Sequence, residues 1–381
     1  MNVKSLRKRL LRRRKGAEKS RLKKILFLGL FLLAVYGMHA QSRWVPGVSY
    51  YHGAMFRYLK SQPWLLFTGL QGAELMMTKK TAGEKAWHSY YNYPDLKLGL
   101  SYFDYGNPKV FGQFITGVAG LNFGFAGNKK ITWSPGFGLG YSTRYFTEYN
   151  RENRAVSTRI SFVAELDLKI PWELENGMVG SFNLAMRHAS NGNIKKPNYG
   201  MNFVALGISA AYDPQRASGS YVDHNDSEEL GEIHHFLVYS MGWKDPRVSL
   251  SNRLYQVQAI SYFASYRFSN INSFLAGIDG MYDTSQYEEY INQTKETPPF
   301  DPEDFDKRQL AFTFGNIFHF GKLGIISQAG IFLYRPYDFM KFSYQRYGFQ
   351  YAITDHVIAQ SALKAYFGSA DLVEFGLGVR L

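Results

Sequence analysis

Beyond residue 40 the sequence alternates. In segment after segment of about ten residues, apolar side chains take every second position, and ten residues is the length a tilted strand needs to cross a bilayer. In 158–169, Ile160, Phe162, Ala164, Leu166 and Leu168 face one way and Arg159, Ser161, Glu165, Asp167 and Lys169 the other. In 255–268, Ile260, Tyr262, Ala264, Tyr266 and Phe268 alternate with Ala259, Ser261, Phe263, Ser265 and Arg267. In 371–381, Val373, Phe375, Leu377, Val379 and Leu381 alternate with Glu374, Gly376, Gly378 and Arg380. A period of two means strands whose two faces meet different surroundings. Taken alone, such strands suit a soluble sandwich as well as a membrane barrel.

The N-terminus tips that balance. Residues 1–24 hold twelve Lys or Arg and one Glu, so most of the formal charge of +13 lies there and the remainder carries only +2. The apolar run Ile25–Tyr36 follows directly, shorter than the roughly 18 residues of a membrane-spanning helix. Charge followed by a short apolar run reads as a secretory signal peptide over 1–40, cleaved after Ala40, rather than as a nucleic-acid-binding tail. No later window approaches a transmembrane helix. Cysteine is absent, which excludes thiol catalysis, disulfides and thiolate metal sites. An exported chain that is 17% aromatic, with 36 glycines, matches the composition of an outer-membrane barrel.

The expectation is therefore a single all-β domain over 41–381, a transmembrane antiparallel β-barrel of twelve to sixteen strands, about fourteen, in the outer membrane of a Gram-negative bacterium. Sixteen segments at most qualify as strands, from 47–58 to 371–381. With both termini in the periplasm, Ser269-Asn270, Gly321-Lys322 and Thr354-Asp355 become short periplasmic turns, and 284–307 and 335–343 extracellular loops. The same parity places 191–200 outside, beside the outer leaflet. Connections 79–94 and 214–230 are long for periplasmic turns. The loop 284–307, with seven acidic residues, reads as solvated and mobile, with cation bridging of lipopolysaccharide as a minor alternative.

One segment carries chemistry. Met178, Gly180, Phe182, Leu184 and Met186 form an outward stripe that ends in His188 and Ser190, whose Cβ atoms lie about 6.6 Å apart by strand rise. A serine needs a neighbouring base, and the base needs a group to hold its tautomer. Asn202, at the start of the following antiparallel strand, shares the outward face with Val204, Leu206 and Ile208. His188 as base, Ser190 as nucleophile and Asn202 as orienter thus converge on a lipid-facing patch. Asn191, Gly192 and Asn198 are the candidate oxyanion or substrate contacts. Polar groups on a lipid face are costly away from the interface, so plain rim residues are the competing reading. Of the other histidines, adjacent His234 and His235 point to opposite sheet faces and do not share a metal, and His52, His319 and His356 show no partner pattern.

His188-Ala189-Ser190-Asn191-Gly192 with Lys196-Pro197-Asn198-Tyr199-Gly200 resembles the signature of the lipid A 3-O-deacylase (PagL-like) outer-membrane enzymes and the larger Bacteroidetes acyloxyacyl hydrolases. The resemblance extends upstream through Gly72-Ala73-Glu74-Leu75, Trp87, Tyr93-Pro94 and Tyr105-Gly106-Asn107-Pro108. It implies a barrel serine esterase that removes an acyl chain from lipid A, with His188 as base and Ser190 as nucleophile. Asn202 departs from the pattern, because the small deacylases carry a glutamate there. An asparagine orients the imidazole without stabilising imidazolium by charge. Glu165 and Asp167 cannot replace it, since the alternation turns both into the lumen. The His-x-Ser-Asn-Gly segment with an asparagine also resembles outer-membrane phospholipase A, which implies glycerophospholipid substrates and calcium at a homodimer interface. The leading reading needs no cofactor and no metal, with calcium entering only under the phospholipase alternative. Its partners are lipid A in lipopolysaccharide of the outer leaflet and the membrane itself, not nucleic acid. A channel or structural barrel with a degenerate site is the non-enzymatic alternative.

Overall fold

The computed structural model describes residues 43–56, 69–125, 128–214, 221–224, 230–246, 253–299, 301–337 and 341–381. The signal-peptide reading of 1–40 lies outside them. Sixteen strands follow in chain order. The first eight are β1 (Trp44–Met55), β2 (Leu70–Lys79), β3 (Asp95–Asp104), β4 (Gln113–Phe125), β5 (Asn128–Ser142), β6 (Ile160–Glu173), β7 (Met178–Ser190) and β8 (Met201–Tyr212). The second eight are β9 (Ile233–Lys244), β10 (Tyr255–Ser269), β11 (Asn272–Asp283), β12 (Arg308–Phe320), β13 (Leu323–Tyr334), β14 (Ser343–Ala352), β15 (Val357–Tyr366) and β16 (Ser369–Arg380).

All pairings are antiparallel, and the sheet closes twice. β8 returns to β1 with Ala210 opposite Val48, and β16 returns to β9 with Leu377 opposite Tyr239. The result is two eight-stranded barrels rather than the single barrel of about fourteen strands expected from the alternation. Alternation sets the two faces of each strand but carries no information about which strand closes on which. Among the described residues no helix is long and apolar enough to cross a membrane.

Eight strands leave a lumen just wide enough for side chains, and both lumens are filled by ion pairs. In the first barrel Lys97 lies 2.8 Å from both Glu165 and Asp167 and 3.2 Å from Glu74. Arg187 joins Glu165 at 2.9 Å and Glu74 at 3.1 Å, and its guanidinium stacks over the Phe103 ring at 4.8 Å. The three carboxylates converge closely enough to suit a metal, but the Lys97 ammonium already sits among them. In the second barrel Arg346 binds Asp279 at 2.6 Å and Glu374 at 2.9 Å. Large apolar side chains such as Phe182, Leu206, Ile260 and Leu377 stand exposed on the outer faces, as the alternation predicts.

The long connections expected at the periplasmic end fasten the barrels together. Residues 80–94 contain a short helix, α1 (Ala86–Tyr90), whose Trp87 packs edge-on against Phe320 of β12. Tyr91 stacks on the same Phe320 at 4.2 Å, and its hydroxyl donates to the Ile271 carbonyl. The 221–224 segment docks on α1's loop, with Val222 N–H donating to Ala82 O and Tyr93 Oη to Val222 O. At mid-height Phe137 of β5 meets Phe349 of β14 at 5.0 Å.

The acidic loop 284–307 is solvated in part, with Glu296, Asp301, Glu303 and Asp304 exposed as expected, and packed in part. It carries a helix, α2 (Gln286–Thr294), whose Glu289 is buried 2.7 Å from Lys244, while Phe305 is buried and stacks on Tyr337 at 3.8 Å. Burying Phe305 and neutralising Lys244 give this loop reasons to order that charge counting does not see.

Candidate active site

β7 and β8 form a hairpin whose register places His188 directly opposite Asn202. The outward face of β7 runs through exposed Phe182, Leu184 and Met186 to exposed His188, while Asn183, Ala185 and Arg187 point into the lumen. Ser190, two residues on, is 8% exposed at the start of the connecting loop. His188 Nδ1 lies 2.5 Å from Asn202 Oδ1. The Asn202 amide nitrogen faces the carbonyls of Tyr199 and Gly200 at 3.4 and 3.5 Å, which fixes the amide oxygen toward the histidine. An acceptor at Oδ1 requires the proton on Nδ1, so the Nε2 lone pair is left free to act as a base.

Gly200 completes this alignment. Its backbone is left-handed (φ +81°), and a Cβ there would come within 2.7 Å of His188 Cε1. Only glycine satisfies both the backbone and the ring.

The structure assigns different parts to the three candidate oxyanion or substrate contacts. Asn191 is buried, and its side-chain amide donates to Ser157 Oγ and to Lys195 O, while its Oδ1 accepts from Asn193 N–H. Asn198 Oδ1 accepts from the backbone N–H of Asn191. Both side chains are thus engaged in shaping the loop. Gly192 N–H, in contrast, is directed at Ser190 Oγ at 3.5 Å, and its left-handed backbone (φ +64°) turns the chain just after the serine. Glu165 and Asp167 lie inside the barrel on Lys97, across the wall from His188, as the alternation predicts.

The residues that hold this loop left no pattern in the sequence. Ser157 Oγ donates to Lys195 O at 2.6 Å, and the carbonyls of Arg154 and Ala155 accept from Tyr199 and Gly200 N–H. Single polar groups in an aperiodic loop carry no spacing signal.

Elsewhere, His234 and His235 do point to opposite faces. His234 meets Arg380, and His235 meets the Tyr262 hydroxyl on the outer face.

Residues 71–211 match the family model for lipid A 3-O-deacylase (PagL), and residues 233–381 match that for the acyloxyacyl hydrolase C-terminal domain. The first match runs from the start of β2 to the end of β8, the second over β9–β16, so each falls on one barrel. The chain belongs to the lipid A 3-O-deacylase family. It is accordingly an ester hydrolase of the lipid A deacylase type, and the His188–Ser190 segment lies inside the matched catalytic-family region. No curated protein matches. Among solved structures, variants of a Rhodopseudomonas blastica porin align at 9% identity over 88% of this chain and 99% of their own, with a TM-score of 0.16. CdiB from Acinetobacter baumannii aligns at 9% identity over 89% of this chain and 60% of its own, with a TM-score of 0.18. Scores this low carry no argument.

Proposed function

We propose that this deacylase is an outer-membrane serine esterase that removes an ester-linked acyl chain from lipid A in the outer leaflet, with Ser190 as nucleophile, His188 as base and Asn202 as orienter. The observation that carries the proposal is the 2.5 Å His188–Asn202 contact on the exposed, apolar outer face of a barrel. A polar pair in that place suits a lipid substrate.

His188 Nε2 takes the proton from Ser190 Oγ as the oxygen attacks the acyl carbonyl carbon. The carbonyl π-electrons move onto oxygen, and the Gly192 N–H, 3.5 Å from Ser190 Oγ, is the donor we assign to the resulting oxyanion. Collapse breaks the ester bond, and the lipid A hydroxyl leaves with the proton from His188. Water, deprotonated by the same imidazole, then releases the fatty acid from Ser190.

The ion-paired lumens favour this reading over a channel, because Lys97 and Arg187 close the first barrel at mid-height. Asn202 in place of an acid is the one feature that favours a phospholipase instead. Mass spectrometry of lipid A and of phospholipids after incubation with purified protein separates the two. Loss of an acyl chain from lipid A, abolished in Ser190→Ala, is the expected result. Phospholipid cleavage with intact lipid A, or lipid A deacylation that survives Ser190→Ala, overturns it.

A further inference from the structure

The loop that carries the proposed chemistry touches both barrels. On its own side it rests on Ser157 and on the carbonyls of Arg154 and Ala155. On the other side it meets the second barrel at three points. Asn193 Nδ2 donates to Asp371 O at 2.9 Å, and Lys196 Nζ donates to Pro246 O at 3.1 Å. Gly192 packs against Val373, where a Cβ at 192 would come within 2.2 Å of Val373 Cγ2.

These anchor points are themselves rigidly held. The Asp371 carboxylate lies 2.8 Å from Lys244 and 3.6 Å from Lys364, and Lys244 also grips Asp283 at 3.0 Å and Glu289 at 2.7 Å. Pro246 O accepts a second bond, from Asn292 Nδ2 in α2. The buried ionic cluster at the outer end of the second lumen therefore sets where 246 and 371–373 stand. Val373 belongs to the outward, lipid-facing set of β16 by alternation, yet it is only 7% exposed. The first barrel's loop lies where lipid would otherwise be.

Resting on the esterase reading above, we propose that the second barrel positions the catalytic loop: Asp371 O, Pro246 O and Val373 hold Gly192–Lys196 so that the Gly192 N–H stays aimed at the oxygen of Ser190. The second barrel is then part of the enzyme's machinery, and Asn193 and Lys196 are positioning residues. Catalytic donors act through placement, and about 1 Å of displacement costs on the order of 10²-fold in rate.

The test uses the full-length protein in detergent micelles. Asn193→Gly keeps the left-handed backbone (φ +72°) and removes the side chain with its amide donor. Lys196→Met removes the ammonium, and Lys196→Arg retains a donor. The double variant Asn193→Gly/Lys196→Met is expected to lose about 10- to 100-fold in kcat on lipopolysaccharide with KM changed less than about threefold. Ser190 labelling by a fluorophosphonate slows in parallel, hydrogen exchange at 192–196 rises, and Lys196→Arg restores most of the rate. Phe349→Ala removes a contact between the barrels far from the loop and leaves kcat unchanged. Unchanged exchange at 192–196 in the double variant overturns the proposal, as does an equal loss of kcat in Phe349→Ala. A wild-type protein that leaves lipid A intact overturns the substrate reading alone, because labelling and exchange still report on the loop.

Discussion

Asn202 faces His188 across the β7–β8 ladder with its amide oxygen 2.5 Å from Nδ1, and its own nitrogen turned to the Tyr199 and Gly200 carbonyls. This places the proton on Nδ1 and the basic lone pair on Nε2. Asn202→Ala removes the orienter and is expected to lower kcat by about 10²- to 10⁴-fold. Asn202→Asp keeps the acceptor, adds charge for the imidazolium and is expected to turn over at least as fast as the native enzyme. Steady-state release of fatty acid measures both. An aspartate variant as slow as the alanine variant would show that Asn202 does not act through the histidine.

A methyl group on Gly200 would come within 2.7 Å of His188 Cε1 and 3.2 Å of Nδ1, closer than the ring can tolerate. Gly200→Ala should displace the imidazole and strain a left-handed backbone, lowering kcat at least about tenfold while the barrel still folds. Heat-modifiable migration on a gel reads folding, and fatty-acid release reads activity. Full activity in Gly200→Ala would mean the ring has another resting place.

Lys97 is the hub of the first lumen, in contact with three buried carboxylates. Lys97→Met leaves Arg187 as their one close cation, against three carboxylates, and breaking a buried pair of this kind costs about 3–5 kcal/mol. Urea unfolding in lipid vesicles should show this loss, and the specific activity of the folded fraction should be unchanged. A fall in specific activity would link the lumen to the outer site.

Glu289 provides a pH dependence on the outer end of the second barrel. Burial pushes its carboxyl up to about 7 despite the pull of Lys244 and with Asp283 and Asp371 adding repulsion. The native state therefore keeps a proton that an unfolded chain releases near the ordinary glutamate value. The contribution to stability is fully present below that ordinary value and is lost as pH rises through about 7. Hydrogen exchange of 286–294, corrected for its intrinsic pH dependence, should report a looser helix at pH 8 than at pH 5.5. Glu289→Gln should abolish the difference, and a difference that persists in that variant would place the titration elsewhere.

How far the sequence carried differs between strand and assembly. Strand existence and facing were legible: the alternating segments 158–169, 255–268 and 371–381 fall on β6, β10 and β16, and Glu165 and Asp167 lie in the lumen as the alternation requires. The convergence of His188 and Asn202 was legible too, because they lie at the facing ends of consecutive antiparallel strands and a period of two fixes the face. Those are local consequences of backbone geometry, and the sequence by itself determines them. What closes on what is not local. The return of β8 to β1, the packing of Trp87 and Tyr91 on Phe320, and the seat of Gly192 on Val373 join residues far apart in the chain. The same holds for the ordering of 284–307, where Glu289 finds a cation from β9. Alternation reports only that a side chain leaves the polar lumen. Whether it then stands exposed on the outer face, like Phe182, or packs against a second barrel, like Val373, depends on tertiary contacts that leave no period in the sequence.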